Sequence, residues 1–499
     1  MNLPRHLSLL LLAGALAYAP YARARDLWND PFNTEKDLPH YSEGLHTPDC
    51  PAPPMEGERI SVMRAVAIAL CRNPDSKTTL EGLFAQAAGV GGTKGQYLPT
   101  ISADTGWSKS TSFADHFKSV SIGRSSGISV GYTLYDFGRR EASVSGAEFA
   151  LEAAGLNYRS SLQQLIANTM QAYYALLGST ESVAAARESE AYAKEAKNAA
   201  ELRYSIGQVP VSDQLQARAA HSQAQLALEQ AQNQLSISKA ALARLMDLPP
   251  DAPLGIENID DGELYAKQLD IDIQQAMAKA KENRPDLEAQ RKSLESSRQN
   301  YRGVRAGAWP TLSVSSGLSS PEFNPLNRGN TGRSQSVGLS LSIPIFTGFT
   351  QTYSERAAAY QVEAAQAQLE ATEQNVLQDV WQTYQNYQTA RASWLTSLDT
   401  LASTLQLKDV ALGRYREGLG SILDLLNAQS QYSNSLQQNA AAKYNLLTTR
   451  IAFIRAIGAL DLESASAAPT PSPTAPPPAP PAAVPATTLT PIPVTEPKP

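Results

Sequence analysis

Four stretches of the chain alternate between apolar and small polar residues. In SGISVGYTLYDFG, Ile128, Val130, Tyr132 and Leu134 fall on one face, and Ser129, Gly131 and Thr133 on the other. In SVGLSLSIPIF, Val337, Leu339, Leu341 and Ile343 oppose Gly338, Ser340 and Ser342. WPTLSVSSGLS sets Leu312, Val314 and Leu318 against Thr311, Ser313, Ser315 and Gly317, and YLPTISADTGW follows the same rule less cleanly. Period-two alternation predicts strands with one apolar and one polar face. A soluble sandwich would alternate too. Here, however, the polar face is mostly Ser, Gly and Thr, residues suited to a wet lumen, and each run is about ten residues, the length a tilted strand needs to cross a bilayer. Four strands cannot close a barrel, and lipid tolerates no open sheet edge. Strands that span a membrane must therefore be pooled by several chains, and three chains would supply twelve.

Helical periodicity fills most of the remainder. The runs from about Arg139 to Tyr204 and from about Gln351 to Tyr415 contain no proline. Unbroken, each predicts a helix of roughly 100 Å at 1.5 Å per residue. After the first run, Ala220, Ala224, Ala227, Ala231, Gln234, Ser238, Ala241 and Leu245 keep a four–three spacing. That spacing specifies a left-handed supercoil with close helix approach.

These patterns occur twice. Asn73-Pro74 and Arg284-Pro285 are 211 positions apart, as are Leu98-Pro99-Thr100 and Trp309-Pro310-Thr311, Gly207 and Gly418, Asp213 and Asp424, and Arg244 and Arg455. Each half reads helix, strand, strand, long helix, turn, helix. The expected division is a signal peptide (1–24), a proline-containing segment (25–55), a first strand and long-helix repeat (56–248), a linker (249–270), a second repeat (271–460) and a proline-rich disordered tail (461–499).

Composition narrows the function. The basic start at Arg5, the apolar run that follows and the Ala22-Arg23-Ala24 site form a secretory signal. Cys50 and Cys71 are the only cysteines. In an oxidising compartment such a pair predicts one disulfide in preference to a metal site. The net charge of −6 argues against a nucleic-acid partner. The five histidines are scattered, and no GxSxG, HExxH or phosphate loop is present. No enzyme, cofactor or metal is expected. Two classes stay open at this point, an export duct and a periplasmic coiled-coil adaptor or structural spacer.

The turns YSIGQVPVSD and YREGLGSILD share the frame Tyr-x-x-Gly-x5-Asp. Gly207 and Gly418 supply the chain reversal, and Ser212 and Ser421 are candidates to cap the returning helices. With the signal peptide and the duplicated strand and long-helix plan, these turns resemble the TolC-like outer-membrane efflux family over roughly residues 56–460. The resemblance implies an α+β membrane protein, a homotrimer with a twelve-stranded barrel in outer-membrane lipid that continues into a long periplasmic helical barrel. It implies a periplasmic adaptor, or membrane fusion protein, and an inner-membrane transporter as partners. Gly207, Gly418 and Ser421 would lie at the tip that meets the adaptor. Asp424 would line the pore entrance and Tyr415 would latch neighbouring coils, with Ser212 and Asp213 receiving the latch. The chain departs from the family pattern at Asn427, where a second pore Asp is expected, and at Gly420, where a latch Arg is expected.

Overall fold

The computed structural model describes residues 30–36, 38, 40, 50–55, 57–114, 117–257, 272–323 and 332–460. The signal segment and the proline-rich tail lie outside the described residues, as does most of the linker. The first half consists of β1 (Arg59–Ile60), α1 (Val62–Arg72), α2 (Pro74–Lys94), β2 (Thr100–Ala114), β3 (Phe117–Tyr135), α3 (Arg139–Ser205) and α4 (Val211–Leu245). β4 (Gly255–Ile256) opens the link to the second half. There follow α5 (Ile273–Asn283), α6 (Pro285–Ala306), β5 (Thr311–Phe323), β6 (Ser334–Ser342), α7 (Thr350–Arg416) and α8 (Ile422–Ala456).

α3 and α7 are 67 residues each, close to the expected runs, and therefore about 100 Å long. α2 and α6 pack against their strand-proximal halves, and α4 and α8 against their distal halves. Side by side, the distal helices run in the order α4–α3–α8–α7. On α4, Ala220, Ala224, Ala227 and Ala231 are half-buried and Ser238 and Leu245 buried, but Gln234 and Ala241 are exposed. Leu235 and Leu242 pack into the core instead. An α-helix of 3.6 residues per turn drifts about 20° per heptad from a strict seven-residue repeat, so the buried stripe moves one position along.

The duplication extends to single hydrogen bonds. Asn73 caps α2 by accepting from the Asp75 N–H at 2.9 Å, and its Nδ2 donates to the Leu245 carbonyl at 3.0 Å. Arg284 holds the same place ahead of α6, and its Nη1 reaches the Ala456 carbonyl at 3.4 Å. Both bonds span 172 positions. In each half the end of the distal helix is thus tied to the Xaa-Pro junction of the proximal pair.

The main core lies at this level. Tyr173, 1% exposed, brings its hydroxyl within 2.9 Å of the Ile60 carbonyl and accepts from the Glu257 N–H at 3.2 Å. It thereby joins β1 and β4, which pair in parallel, to α3. Burial pushes its phenol well above the ordinary value. A disulfide joins Cys50 to Cys71 at the end of α1, and β1 lies inside the closed loop. In the chain-entropy treatment a loop of this size contributes about 3 kcal/mol. Peptide mapping of unreduced mature protein is expected to yield the linked Cys50 and Cys71 peptides. Two freely alkylated thiols would contradict this.

Candidate functional site

Two regions carry the features of a duct, a four-stranded sheet at one end and a pair of helical hairpins at the other. The sheet has the order β2-β3-β5-β6, antiparallel throughout. Its register sorts the side chains. Ser102, Ser129, Gly317 and Ser336 form one row across all four strands, and Thr100, Gly131, Ser315 and Gly338 form the next row on the same face. The other face carries Ile101, Val130, Tyr132, Val314, Leu339 and Leu341. One face is therefore lined by small polar groups, with Ser102 and Ser129 hydroxyls 2.7 Å apart, and the other is mainly apolar, interrupted by Ser316 and by the Thr105–Ser126–Ser320 row. Among the described residues the outer edges of β2 and β6 pair with no other strand. β2, β3 and β5 are 15, 19 and 13 residues long, longer than the alternating runs, while β6 has 9.

Aromatic residues bound the apolar band at both ends, a feature that the alternation alone does not reveal. At the far end Arg124 lies over the Trp107 ring at 5.7 Å. At the helical end Phe137 stacks on Trp309 at 5.4 Å and meets Tyr135 edge-on at 4.7 Å. Arg124 and Tyr135 are about 36 Å apart along β3 at 3.3 Å per residue. A strand tilt of about 40° reduces that to roughly 28 Å of height, close to the apolar belt of a membrane barrel. Trp107, midway along β2, and Trp309, just ahead of β5, were the available sequence signal.

The hairpin tips follow from the repeated turn. Gly207 and Gly418 have φ of +76° and +75°, the left-handed conformation that Gly adopts without a Cβ clash. In the first turn Gly207 N–H donates to the Tyr204 carbonyl at 3.0 Å and Gln208 N–H to Arg203 at 2.8 Å. In the second, Gly418 donates to Tyr415 at 3.1 Å and Leu419 to Arg414 at 2.8 Å. This paired pattern ends a helix by satisfying its last carbonyls. The start of the next helix differs between the halves. Ser421 caps α8, accepting from Asp424 N–H at 3.1 Å, while the Asp424 carboxylate accepts from Ser421 N–H at 3.3 Å. Ser212 does not cap α4, contrary to the sequence expectation. Pro210 occupies the cap position and has no side-chain acceptor, and Ser212, two residues too far in, donates to Asp213 at 3.2 Å.

Gly420, Asp424 and Asn427 line one groove of about 270 Å³ between α7 and α8, together with Arg414. The arginine lacking at position 420 thus has Arg414 as a close neighbour. Tyr415 is 4% exposed and packs with Ala196, Ala200, Ala217, Ile422 and Leu425 of its own chain. Arg203 lies over its ring at 4.3 Å and donates to its carbonyl at 3.0 Å. The Tyr415 hydroxyl has no hydrogen-bond partner among the described residues. Burial pushes this phenol up, Arg203 opposes the rise and Asp213 adds to it, so Asp213 faces the same locality. Among the described residues no helix is long and apolar enough to cross a membrane.

A sheet with a hydroxyl-lined face and an aromatic-bounded apolar face, carried on helices of 100 Å, defines an outer-membrane duct with a large periplasmic part. The chain belongs to the outer membrane efflux protein family, whose model matches residues 65–247 and 276–459, one match per half. It is 27% identical to protein CyaE of Bordetella pertussis over 93% of this chain and 97% of that one. It is 23% identical to outer membrane protein TolC of Escherichia coli over 80% of this chain and 83% of that one. Its fold resembles the CmeC outer membrane channel of Campylobacter jejuni, with a TM-score of 0.72 at 19% identity, covering 81% of this chain and 88% of that one.

Proposed function

We propose that three copies of this chain close into one twelve-stranded barrel and serve as the exit duct of a tripartite export system. An inner-membrane transporter and a periplasmic adaptor would dock at the helical tips, and small molecules or secreted proteins would pass to the exterior. The observation that carries this reading is the strand register. It places the Ser102–Ser129–Gly317–Ser336 and Thr100–Gly131–Ser315–Gly338 rows on one face, and among the described residues the β2 and β6 edges pair with no other strand. In lipid those edges need partners, and β6 of one copy can pair with β2 of the next. The helical order α4–α3–α8–α7 likewise leaves α4 and α7 as the outer helices of the chain.

The groove holding Asp424 is the proposed pore entrance, with one ring of three carboxylates because position 427 is Asn. Gly207, Gly418 and Ser421 shape the tips offered to the adaptor. Mature protein extracted in detergent is expected to have the mass of a trimer, and cross-linking should yield a ladder that stops at three. A stable water-soluble monomer would overturn the duct and favour a coiled-coil spacer.

A further inference from the structure

We infer that the exposed face of α2 seats α7 of the next copy, with Tyr353 and Tyr360 as the anchors. This inference rests on the trimeric duct reading. Its basis is that the offset of 211 holds through the helices next to the sheet. α2 and α6 begin 211 positions apart, at Pro74 and Pro285, and α3 and α7 both begin and end 211 apart. α6 packs between two long helices, α3 and α7, whereas α2 packs extensively against α3 alone. One of the two seams that α6 makes therefore has no counterpart within the chain.

The side chains say which seam that is. On one side of α6, Arg305 approaches Glu355 of α7 at 4.0 Å; its counterpart on α2, Lys94, likewise pairs with Glu148 of α3 at 3.0 Å. On the other side α6 meets α3. Ser296 donates to the Gly146 carbonyl at 2.8 Å, Lys292 pairs with Glu152 at 2.7 Å and lies 5.8 Å from the Phe149 ring, and a Cβ at Gly303 would stand 3.6 Å from the Ala142 Cβ. The counterparts of Lys292, Ser296 and Gly303 on α2 are Glu81, Ala85 and Gly92, and all three are exposed. The counterparts of Ala142 and Phe149 on α7 are Tyr353 and Tyr360, which are 66% and 67% exposed. One flank of the chain thus presents two large rings a heptad apart, and the other a face on which a Cβ at Gly82, Gly89 or Gly92 would meet no heavy atom within 4 Å. Placed as in the α3–α6 seam, Tyr353 lies over Gly92 and Tyr360 beside Glu81 of the next copy. The ion pair is not copied, because Glu81 and Glu363 stand at its two positions. Tyr360 supplies a hydroxyl donor to Glu81 instead, and burial of the two rings holds the seam. This seam continues the proposed strand pairing, since β6 leads into α7 and α2 leads into β2.

The test uses the full-length protein in detergent, its mass checked first. The Cβ spacing of the α3–α6 seam suits a disulfide. Oxidised Tyr353→Cys/Gly92→Cys is therefore expected to run as a covalent trimer on a denaturing gel without reductant, and Ala142→Cys/Gly303→Cys to close the corresponding bond within one chain. In Tyr353→Cys/Glu81→Cys the second cysteine lies about 16 Å further along α2, and cross-linking should fall to about a tenth or less. A native trimer whose Tyr353→Cys/Gly92→Cys chains run singly, while Ala142→Cys/Gly303→Cys closes, would overturn the inference, and so would equal cross-linking at position 81. Tyr353→Ser/Tyr360→Ser supplies the second arm. The trimeric fraction on dilution should fall by about tenfold or more with helix content unchanged, because two rings lose their cover. An unchanged fraction would assign this face to another occupant and overturn the inference. Absence of a trimer in the unsubstituted protein would instead refute the duct reading.

Discussion

Arg284→Gln is expected to destabilise each chain by about 3 kcal/mol or more, read as a lower thermal midpoint of the detergent-extracted protein. Arg284 is almost fully enclosed. It forks onto Asp286 at 2.6 and 3.0 Å, reaches Asp379 at 2.6 Å and holds the Ala456 carbonyl. Arg455 also approaches Asp379, at 3.7 Å. Removing the guanidinium leaves two carboxylates near each other with one distant cation. The first half ties its distal helix through the neutral Asn73, and Asn73 and Asn168 stand where Arg284 and Asp379 stand in the second. Arg284→Asn/Asp379→Asn copies that arrangement and is expected to recover more than half of the loss. A midpoint for Arg284→Gln equal to that of the wild type would show that the cluster contributes nothing.

The same cluster sets a pH dependence. Burial alone would raise the Asp286 carboxyl, but the bonded Arg284 guanidinium and the Leu287 N–H outweigh it and hold the group below its ordinary value. A carboxyl depressed in the folded state stabilises the fold above its unfolded pKa, and that contribution is lost as pH falls through the folded value. The gap between wild type and Arg284→Gln should therefore be full at neutral pH and shrink on acidification below about pH 4. A gap that does not change with pH would assign the loss to packing alone.

Asp424→Asn is expected to lower the cation preference of single channels several-fold at low ionic strength without changing trimer yield. Three carboxylates converging on an axis concentrate negative potential in a narrow opening. Screening over about 10 Å at 0.1 M salt should erase most of the difference between mutant and wild type at higher salt. Asparagine keeps an oxygen for the Ser421 N–H, so the capping box of α8 survives and the charge alone is tested. Asp213→Asn is expected to act on closure instead, because the Asp213 charge acts on the buried Tyr415 phenol. If Asp424→Asn leaves selectivity intact and Asp213→Asn abolishes it, the coil that lines the axis is the other one. Tyr415→Phe removes a hydroxyl that has no hydrogen-bond partner among the described residues, so a raised open fraction would show that this hydroxyl helps hold the closed state.

Local pattern made much of the fold legible. Alternation identified the strands and their two faces because side chains in a strand point to opposite sides in turn. Absence of proline and the positive-φ glycines marked where the long helices run and reverse. The offset of 211 related each feature to its copy, down to Asn73 and Arg284.

Other features depended on contacts distant in the chain. Ser212 was a plausible cap by position, but Pro210 shifted the helix start, and only backbone geometry decides which residue lies at the boundary. The α4 seam drifted because helical twist accumulates over many residues, which a repeat of fixed length ignores. The Arg284 cluster, the Tyr415 pocket and the Lys408 cage join residues from helices far apart in sequence. Lys408, between Leu407 and Asp409 on α7, reads as solvated until α3 and α8 bring Tyr192 and Tyr432 around it. The sequence by itself determined periodicity, duplication and turn chemistry, which are short-range properties of the backbone. The tertiary structure alone decided which charges meet, because electrostatic pairing depends on distance in space and not on order along the chain.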